Sequence, residues 1–146
     1  QDSEKRIIFD KEKALSFAGE TGPYLQYTYA RCASILKKSC HSEGNEESSI
    51  DYSLLSNDEE KAILIHLAQL EKTVQKSANE YKPNYIARYV LELAKLFNSY
   101  YQKHKIIQED PTQKPLEHAR LALVKATQQV IANTCDLLGI EVVEEM

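Results

Sequence analysis

TGPYLQYTYARCASILKK, residues 21–38, is the stretch on which the fold reading turns. Tyr24, Tyr27, Tyr29 and Arg31 fall within eight positions, the run closes on Lys37 and Lys38, and it contains no acid. Pro23 suits the first turn of a helix, where a missing N–H costs nothing. At about 100° per residue, Leu25, Tyr29, Cys32 and Leu36 share one face, the expected core stripe. Tyr24, Tyr27 and Arg31 form a second stripe roughly 120° away. The segment therefore reads as a helix from about Gly22 to Ser39 with an apolar face and a separate aromatic–basic face.

Composition extends the helical reading to the whole chain. Its 146 residues fit one domain, and a chain of this size buries a sizeable core without staples. Only four glycines and four prolines occur, which argues against a turn-rich β fold and for long helices. Nothing approaches 18 uninterrupted apolar residues, so no membrane span is expected. The opening QDSEKRIIFD has no apolar signal-peptide core and no initiator methionine, and is read as the start of a piece cut from a longer chain. Cys32, Cys40 and Cys135 have neither CxxC spacing nor an even count, so they are read as reduced thiols of a cytoplasmic protein.

The net charge of −4 is a mild argument against nucleic acid, but its distribution is uneven. Residues 21–42 hold Arg31, Lys37 and Lys38 and no acid. Residues 81–108 hold Lys82, Arg88, Lys95, Lys103 and Lys105 against Glu92 alone. Residues 43–60 hold seven acids and no base. Two basic helices thus sit beside an acidic loop.

The remaining elements follow from periodicity and caps. A short first helix is expected from about Asp10, its N-cap, to Phe17, broken by AGETG. Residues 40–55 are read as a solvated acidic loop with an apolar anchor at Tyr52, Leu54 and Leu55. Ser56 and Glu59 have capping-box spacing and open a third helix, with Ile63, Leu67, Leu70 and Val74 on one face, ending near Ser77. A fourth starts at Pro83, with Ile86, Val90, Leu93 and Phe97 as its stripe, continued by Tyr100, Tyr101 and His104. A fifth starts near Pro115, with Leu116, Leu123, Val130 and Leu137 as its apolar face and Gly139 as its left-handed stop. The expected fold is all-α, an antiparallel bundle of about five helices over 1–146.

Catalytic signatures are absent. The sequence has no Gly-rich phosphate loop, no H-E-x-x-H, no Glu-x-x-His pair and no G-x-S-x-G elbow. His41, His66, His104 and His118 are scattered, and His66 reads as a core-edge histidine. Cys32 falls on the core face, where a thiol is inert. Neither a catalytic residue nor a metal site is expected. The tyrosine stripe has two readings: packing against a neighbouring helix with hydroxyls at the rim, or a platform for unstacked bases with arginine and lysines on phosphates.

FAGETGPYLQYTYARCASILKK strongly resembles the opening of the C-terminal anticodon-binding domain of arginyl-tRNA synthetases. That family's hallmark reads close to G-x-T-G-P-Y-x-Q-Y-x-x-A-R-x-x-S-I-L, and Gly19, Thr21, Gly22, Pro23, Tyr24, Gln26, Tyr27, Ala30, Arg31, Ser34, Ile35 and Leu36 supply it here. KPNYIARYVLELAKLFNSYYQK and ARLALVKATQQVIANTCDLLGIEVVEEM resemble the family's later landmarks, so the likeness runs from about residue 9 to 146 and is weakest across 40–60.

The resemblance implies a DALR-type helical module of a class I synthetase that binds the anticodon stem-loop of tRNA(Arg), with the middle cytosine of the anticodon as main determinant. ATP and arginine would bind a catalytic domain of the same protein, because neither a KMSKS-like loop nor an H-I-G-H-like motif is present; no cofactor is expected on this chain. Residues 1–9 would be the remnant of the linker to that domain. The motif positions carried over as anticodon contacts are Tyr24, Tyr27 and Arg31, with Tyr101 (less surely Tyr100) and Met146 aligned to further contacts. Core packing at a helix end remains open for Tyr101, and helix packing for Gln26. Lys37, Lys38, Lys103 and Lys105 are candidate phosphate contacts or solvated surface. Arg120 is read as structural, paired with an acid of a neighbouring helix. The alternatives are a helical protein-interaction module and the related bundle of the cysteinyl enzyme.

Overall fold

The computed structural model describes residues 11–14, 19, 21–40 and 50–145. Its helices are α1 (Lys11–Ala14), α2 (Gly22–Cys40), α3 (Asp58–Ala68), α4 (Leu70–Glu80), α5 (Asn84–Lys103) and α6 (Lys114–Leu137), with single 3₁₀ turns at Tyr52–Leu54 and Pro111–Gln113. No strand occurs among the described residues. The all-helical bundle is as expected, with five long helices beside the short α1. Asp10 and the end of the first helix lie outside the described residues, as do residues 1–9 and most of the acidic loop.

The centre of the bundle is α5. Ile86, Val90, Leu93, Phe97 and Tyr100 recur at four- and three-residue steps and are all buried, the spacing of one helix face. The element packs against α2, α3, α4 and α6. Its antiparallel course beside α3 follows from three cross-pairs in opposite order: Glu59 with Lys103 at 2.7 Å, Glu60 with Tyr100 at 3.4 Å, and His66 with Tyr89. His66 stacks on the Tyr89 ring, centroids 4.4 Å apart, while its Nε2 lies 2.9 Å from the Tyr89 carbonyl. It is the core-edge histidine expected.

Four details differ from the sequence reading, each for a physical reason. The capping box at the start of α3 is shifted by one residue: the Glu60 carboxylate, not that of Glu59, turns back to accept from an N-terminal N–H, that of Asn57, at 3.1 Å. Glu60 is fully buried and also accepts from Arg120 Nε at 2.8 Å, so a tertiary partner selects between two overlapping boxes. Arg120 additionally donates to the Lys105 carbonyl at 2.7 Å, which makes it the structural arginine anticipated. Removing one member of such a buried pair strands the other charge and costs about 3–5 kcal/mol.

The single third helix is in fact two, α3 and α4, separated at Gln69, whose N–H bonds the His66 carbonyl at 3.0 Å in a tightened turn. On α6 the expected face fails at its end, where Leu137 is 56% exposed. A seven-residue repeat on a straight helix drifts by about 20° per heptad, so Leu116, Leu123, Val130 and Leu137 spiral off the core. The buried line is Ala119, Leu123, Val124, Thr127, Ile131, Thr134 and Cys135. In the anchor before α3, Leu55 is buried and Leu54 half-buried, but Tyr52 faces solvent.

Helix ends are closed by left-handed residues. Gly139 (φ 68°) ends α6, with its N–H on Asp136 and the Ile140 N–H on Cys135, at 3.0 and 2.9 Å, the double bond of a Schellman motif. Tyr81 does the same for α4 at φ 54°, its neighbour Lys82 bonding the Ser77 carbonyl at 3.0 Å, although it is no glycine and its side chain is almost wholly exposed. No helix among the described residues is long and apolar enough to cross a membrane.

Two outcomes are expected. Because Tyr81 makes the left-handed cap with a side chain that disfavours it, Tyr81→Gly should raise unfolding stability by about 1 kcal/mol in urea titration; an unchanged or lower midpoint would refute the strain. The Glu59 carboxyl is held down to about 2 by the Lys103 ammonium first, then by its own N–H at the helix start and by His104. A depressed folded value means that this stabilisation is complete above the ordinary value of 4.5 and fades as pH falls toward 2. Glu59→Gln should therefore flatten the stability curve between those limits, and a curve parallel to the parent's would contradict it.

Candidate nucleic-acid interface

The start of α2 is set by Thr21, whose hydroxyl accepts the Tyr24 N–H at 3.2 Å as an N-cap, ahead of Pro23 in the first turn. From there Leu25, Thr28, Cys32 and Ile35 point into the core. Tyr29 and Leu36 are half-buried at its edge, so the true core line is rotated slightly from the expected one. The next stripe around the helix, Tyr24, Tyr27 and Arg31, meets α5 where Asn98 and Tyr101 stand one turn apart.

Arg31 is the hub of this contact. Its Nη1 donates to Asn98 Oδ1 at 2.6 Å, and its Nη2 donates to the Tyr27 hydroxyl. The guanidinium carbon lies 4.6 Å from the centre of the Tyr27 ring and 4.8 Å from that of Tyr101, both within cation–π range. Phe97 backs the Tyr101 ring at 6.5 Å and 23°. Tyr27 and Tyr101 remain 38% and 40% exposed. Among the described residues Arg31 has no carboxylate partner; its charge faces only two aromatic rings and neutral oxygens.

The expected site residues separate into groups. Tyr27, Arg31 and Tyr101 converge on the wall of one groove. Tyr24 is half-buried against the core, its hydroxyl taken by Asn98 at 3.0 Å, so it serves the site from behind. Tyr100 is fully buried and turned toward Glu60, which removes it from the surface. Met146 lies outside the described residues. The segment before it returns along α2: Gln26 Nε2 donates to the Glu141 carbonyl at 2.7 Å, which gives Gln26 a packing role.

The groove has a volume of about 1420 Å³ and runs from Tyr27, Arg31 and Tyr101 past Lys38 and Lys105 to Glu145. Of the four lysines, Lys37, Lys38 and Lys105 line the groove, Lys37 paired with Glu145 at 3.0 Å and Lys105 with Glu109 at 2.7 Å, whereas Lys103 does not line it and pairs with Glu59 of α3 at 2.7 Å. Lys38 has no acidic partner among the described residues. The Lys37 and Lys105 pairs are exposed on both sides and contribute little to stability, so these two lysines can exchange a carboxylate for another anion at low cost. Sequence reasoning missed Asn98, the buried amide that joins Arg31, Tyr24 and Thr28. Its one signal was a polar residue directly after Phe97 in an apolar stripe.

The chemistry available is binding. The Cys32 thiol is buried and pushed up to about 12 by that burial, and Cys135 up to about 11, so neither is a nucleophile. No cluster of three metal-ligating side chains occurs among the described residues. Half-exposed rings, a guanidinium without a carboxylate partner among the described residues and rim lysines together suit unstacked bases and phosphates.

Comparison with known proteins agrees with this geometry. The chain is 45% identical over 143 residues to an arginine–tRNA ligase of Clostridium kluyveri and 43% identical to that of Clostridium botulinum, with 98% of this chain matched in each case. Among solved structures, the arginyl-tRNA synthetase of Thermus thermophilus superposes over 100% of this chain and 24% of its own, with a TM-score of 0.85 and 36% identity. The synthetase of Plasmodium falciparum shares the fold over 94% of this chain and 23% of its own, with a TM-score of 0.74 at 21% identity. The chain spans about a quarter of the length of the curated relatives it matches, 25% and 24%. Residues 25–146 match the DALR anticodon binding domain family, and the chain belongs to that family.

Proposed function

We propose that this chain is the anticodon-reading module of a cytoplasmic arginine–tRNA ligase, and that its partner is the anticodon stem-loop of tRNA(Arg). The observation that carries the reading is Arg31, held between the half-exposed rings of Tyr27 and Tyr101 without a carboxylate partner among the described residues. Aromatic faces stack on any unstacked base, and a guanidinium donates to base acceptors or phosphate oxygens. Lys37, Lys38 and Lys105 would meet the RNA backbone, with phosphates replacing Glu145 and Glu109, and Lys103 is retained as a phosphate contact beyond the groove.

No bond is made or broken in this chain. ATP and arginine would be bound by a catalytic domain elsewhere in the same protein, and no cofactor is required here. Gripping the anticodon loop would orient the acceptor end toward that domain, and positioning alone accelerates transfer. Met146 is retained as a further contact of the loop.

In the full-length ligase, Tyr27→Ala removes one stacking face, so tRNA charging at low tRNA concentration should fall about 10- to 100-fold, at roughly 1–3 kcal/mol per base stack. Arginine and ATP binding should be unchanged. Equal loss of all three substrates would mean that Tyr27 supports the fold and not the RNA.

A further inference from the structure

The donors and acceptors around Asn98 can be assigned without ambiguity. A guanidinium has only donors, so the Asn98 atom 2.6 Å from Arg31 Nη1 is the carbonyl oxygen, and the amide orientation is fixed. Its NH₂ group must then donate, and it does so twice, to Thr28 Oγ1 at 2.9 Å and to the Tyr24 hydroxyl at 3.0 Å. Thr28 can accept because its own O–H is given to the Tyr24 carbonyl at 2.8 Å. Every polar atom of this buried amide is therefore committed, at 8% exposure, between α2 and α5.

This arrangement has a direction. Thr28 and Tyr24 fix the amide, the amide oxygen fixes Arg31, and Arg31 donates onward to the Tyr27 hydroxyl oxygen. That last bond leaves the Tyr27 O–H free to donate, and the N–H groups of Arg31 not used on Asn98 or Tyr27 are donors too. Arg31 and Tyr27 thus present adjacent N–H and O–H donors on the groove wall, with the acceptor carboxylates of Glu144 and Glu145 among the other lining residues. We propose that Asn98 is a positioning residue for RNA: it clamps Arg31 between the two tyrosine rings in the orientation that aims the Arg31 and Tyr27 donors into the groove, and so favours a base with adjacent acceptors at the atoms these donors meet over one with a donor there. At O2 and N3 cytosine offers two adjacent acceptors beside its N4 amino donor, whereas uracil places a donor at N3. The inference rests on the anticodon reading, and its subject is the residue behind the arginine.

The test is a double-mutant cycle on the 146-residue chain with two probes, an arginine anticodon stem-loop and the same loop with its middle cytosine changed to uridine. The wild-type chain should prefer the cytosine loop about tenfold, the worth of one charge-assisted hydrogen bond. Asn98→Ala should lower that preference to the level of Arg31→Ala, and the double variant should be no worse than Arg31→Ala alone, because Asn98 acts only through Arg31. Multiplicative losses, or an undiminished preference in Asn98→Ala, would overturn the proposal while leaving the anticodon reading intact. Asn98→Leu, of similar volume, replaces Asn98→Ala if the smaller side chain does not fold.

A second readout needs no RNA. Hindered rotation of the Arg31 guanidinium should give separate Nη signals by NMR in the wild-type chain and averaged signals in the Asn98 variant. Averaged signals already in the wild type would overturn the clamp. If the wild type does not distinguish the two loops but its Arg31 signals are separate and collapse in the variant, the clamp stands and the base-selection claim fails together with the anticodon reading.

Discussion

The site depends on one buried amide. Asn98 sits on the central helix at the level where α2 crosses it, and its three side-chain bonds all go to α2. In an apolar contact, two helices hold each other in position only as well as their side chains interlock. A fully bonded amide adds directional constraints, and leaving any of them unmet costs about 1–3 kcal/mol. The same bonds that set the α2–α5 register also aim Arg31, so packing and recognition are not separable here. Thr28, on the core face, and Tyr24, on the neighbouring stripe, both participate, which links the hydrophobic core to the groove through two neighbouring turns of one helix.

A second polar lock holds the other side of the bundle. Glu60 joins the start of α3 to Arg120 of α6 and the hydroxyl of Tyr100 on α5. Three helices therefore converge on a single buried carboxylate, while the apolar line of α5 fills the space between the two locks. The groove lies at the end of α5 where its regular hydrogen bonding stops and Lys103, His104 and Lys105 turn back toward α3 and the following loop. Lys103, His104 and Lys105 thus gather where the central helix ends.

What was legible in the sequence was what repeats locally. The stripe Ile86, Val90, Leu93 and Phe97 is fixed by helical periodicity, and the cap at Gly139 by the need for a left-handed residue. The separation of Tyr27 and Arg31 from the core is helical arithmetic on α2. What was not legible depends on distant partners. Two capping boxes overlap at Ser56–Glu60, and only the ion pair with Arg120, sixty residues away in sequence, selects Glu60. The division of α3 from α4 at Gln69 involves no glycine or proline, and the apolar pattern runs through it. Tyr100 and Tyr101 look alike in sequence, yet one residue of helical rotation buries the first and exposes the second. The acids that occupy Lys37 and Lys103 come from 108 and 44 residues away, so no local pattern announces them. Asn98 is a polar residue in an apolar run, and its meaning appears only when Arg31 is placed opposite.

The central claim is that the tyrosine–arginine groove reads an anticodon loop. The most direct measurement is a titration of this chain with an arginine anticodon stem-loop and with the middle-base variant, each at two salt concentrations. Contacts to about three phosphates at roughly 0.7 released counterion each should give a log–log salt slope near −2, and the native loop should bind more tightly at both concentrations. Equal binding of both loops, with steep salt dependence, would mean that the basic residues grip phosphates and that no base is read in this groove.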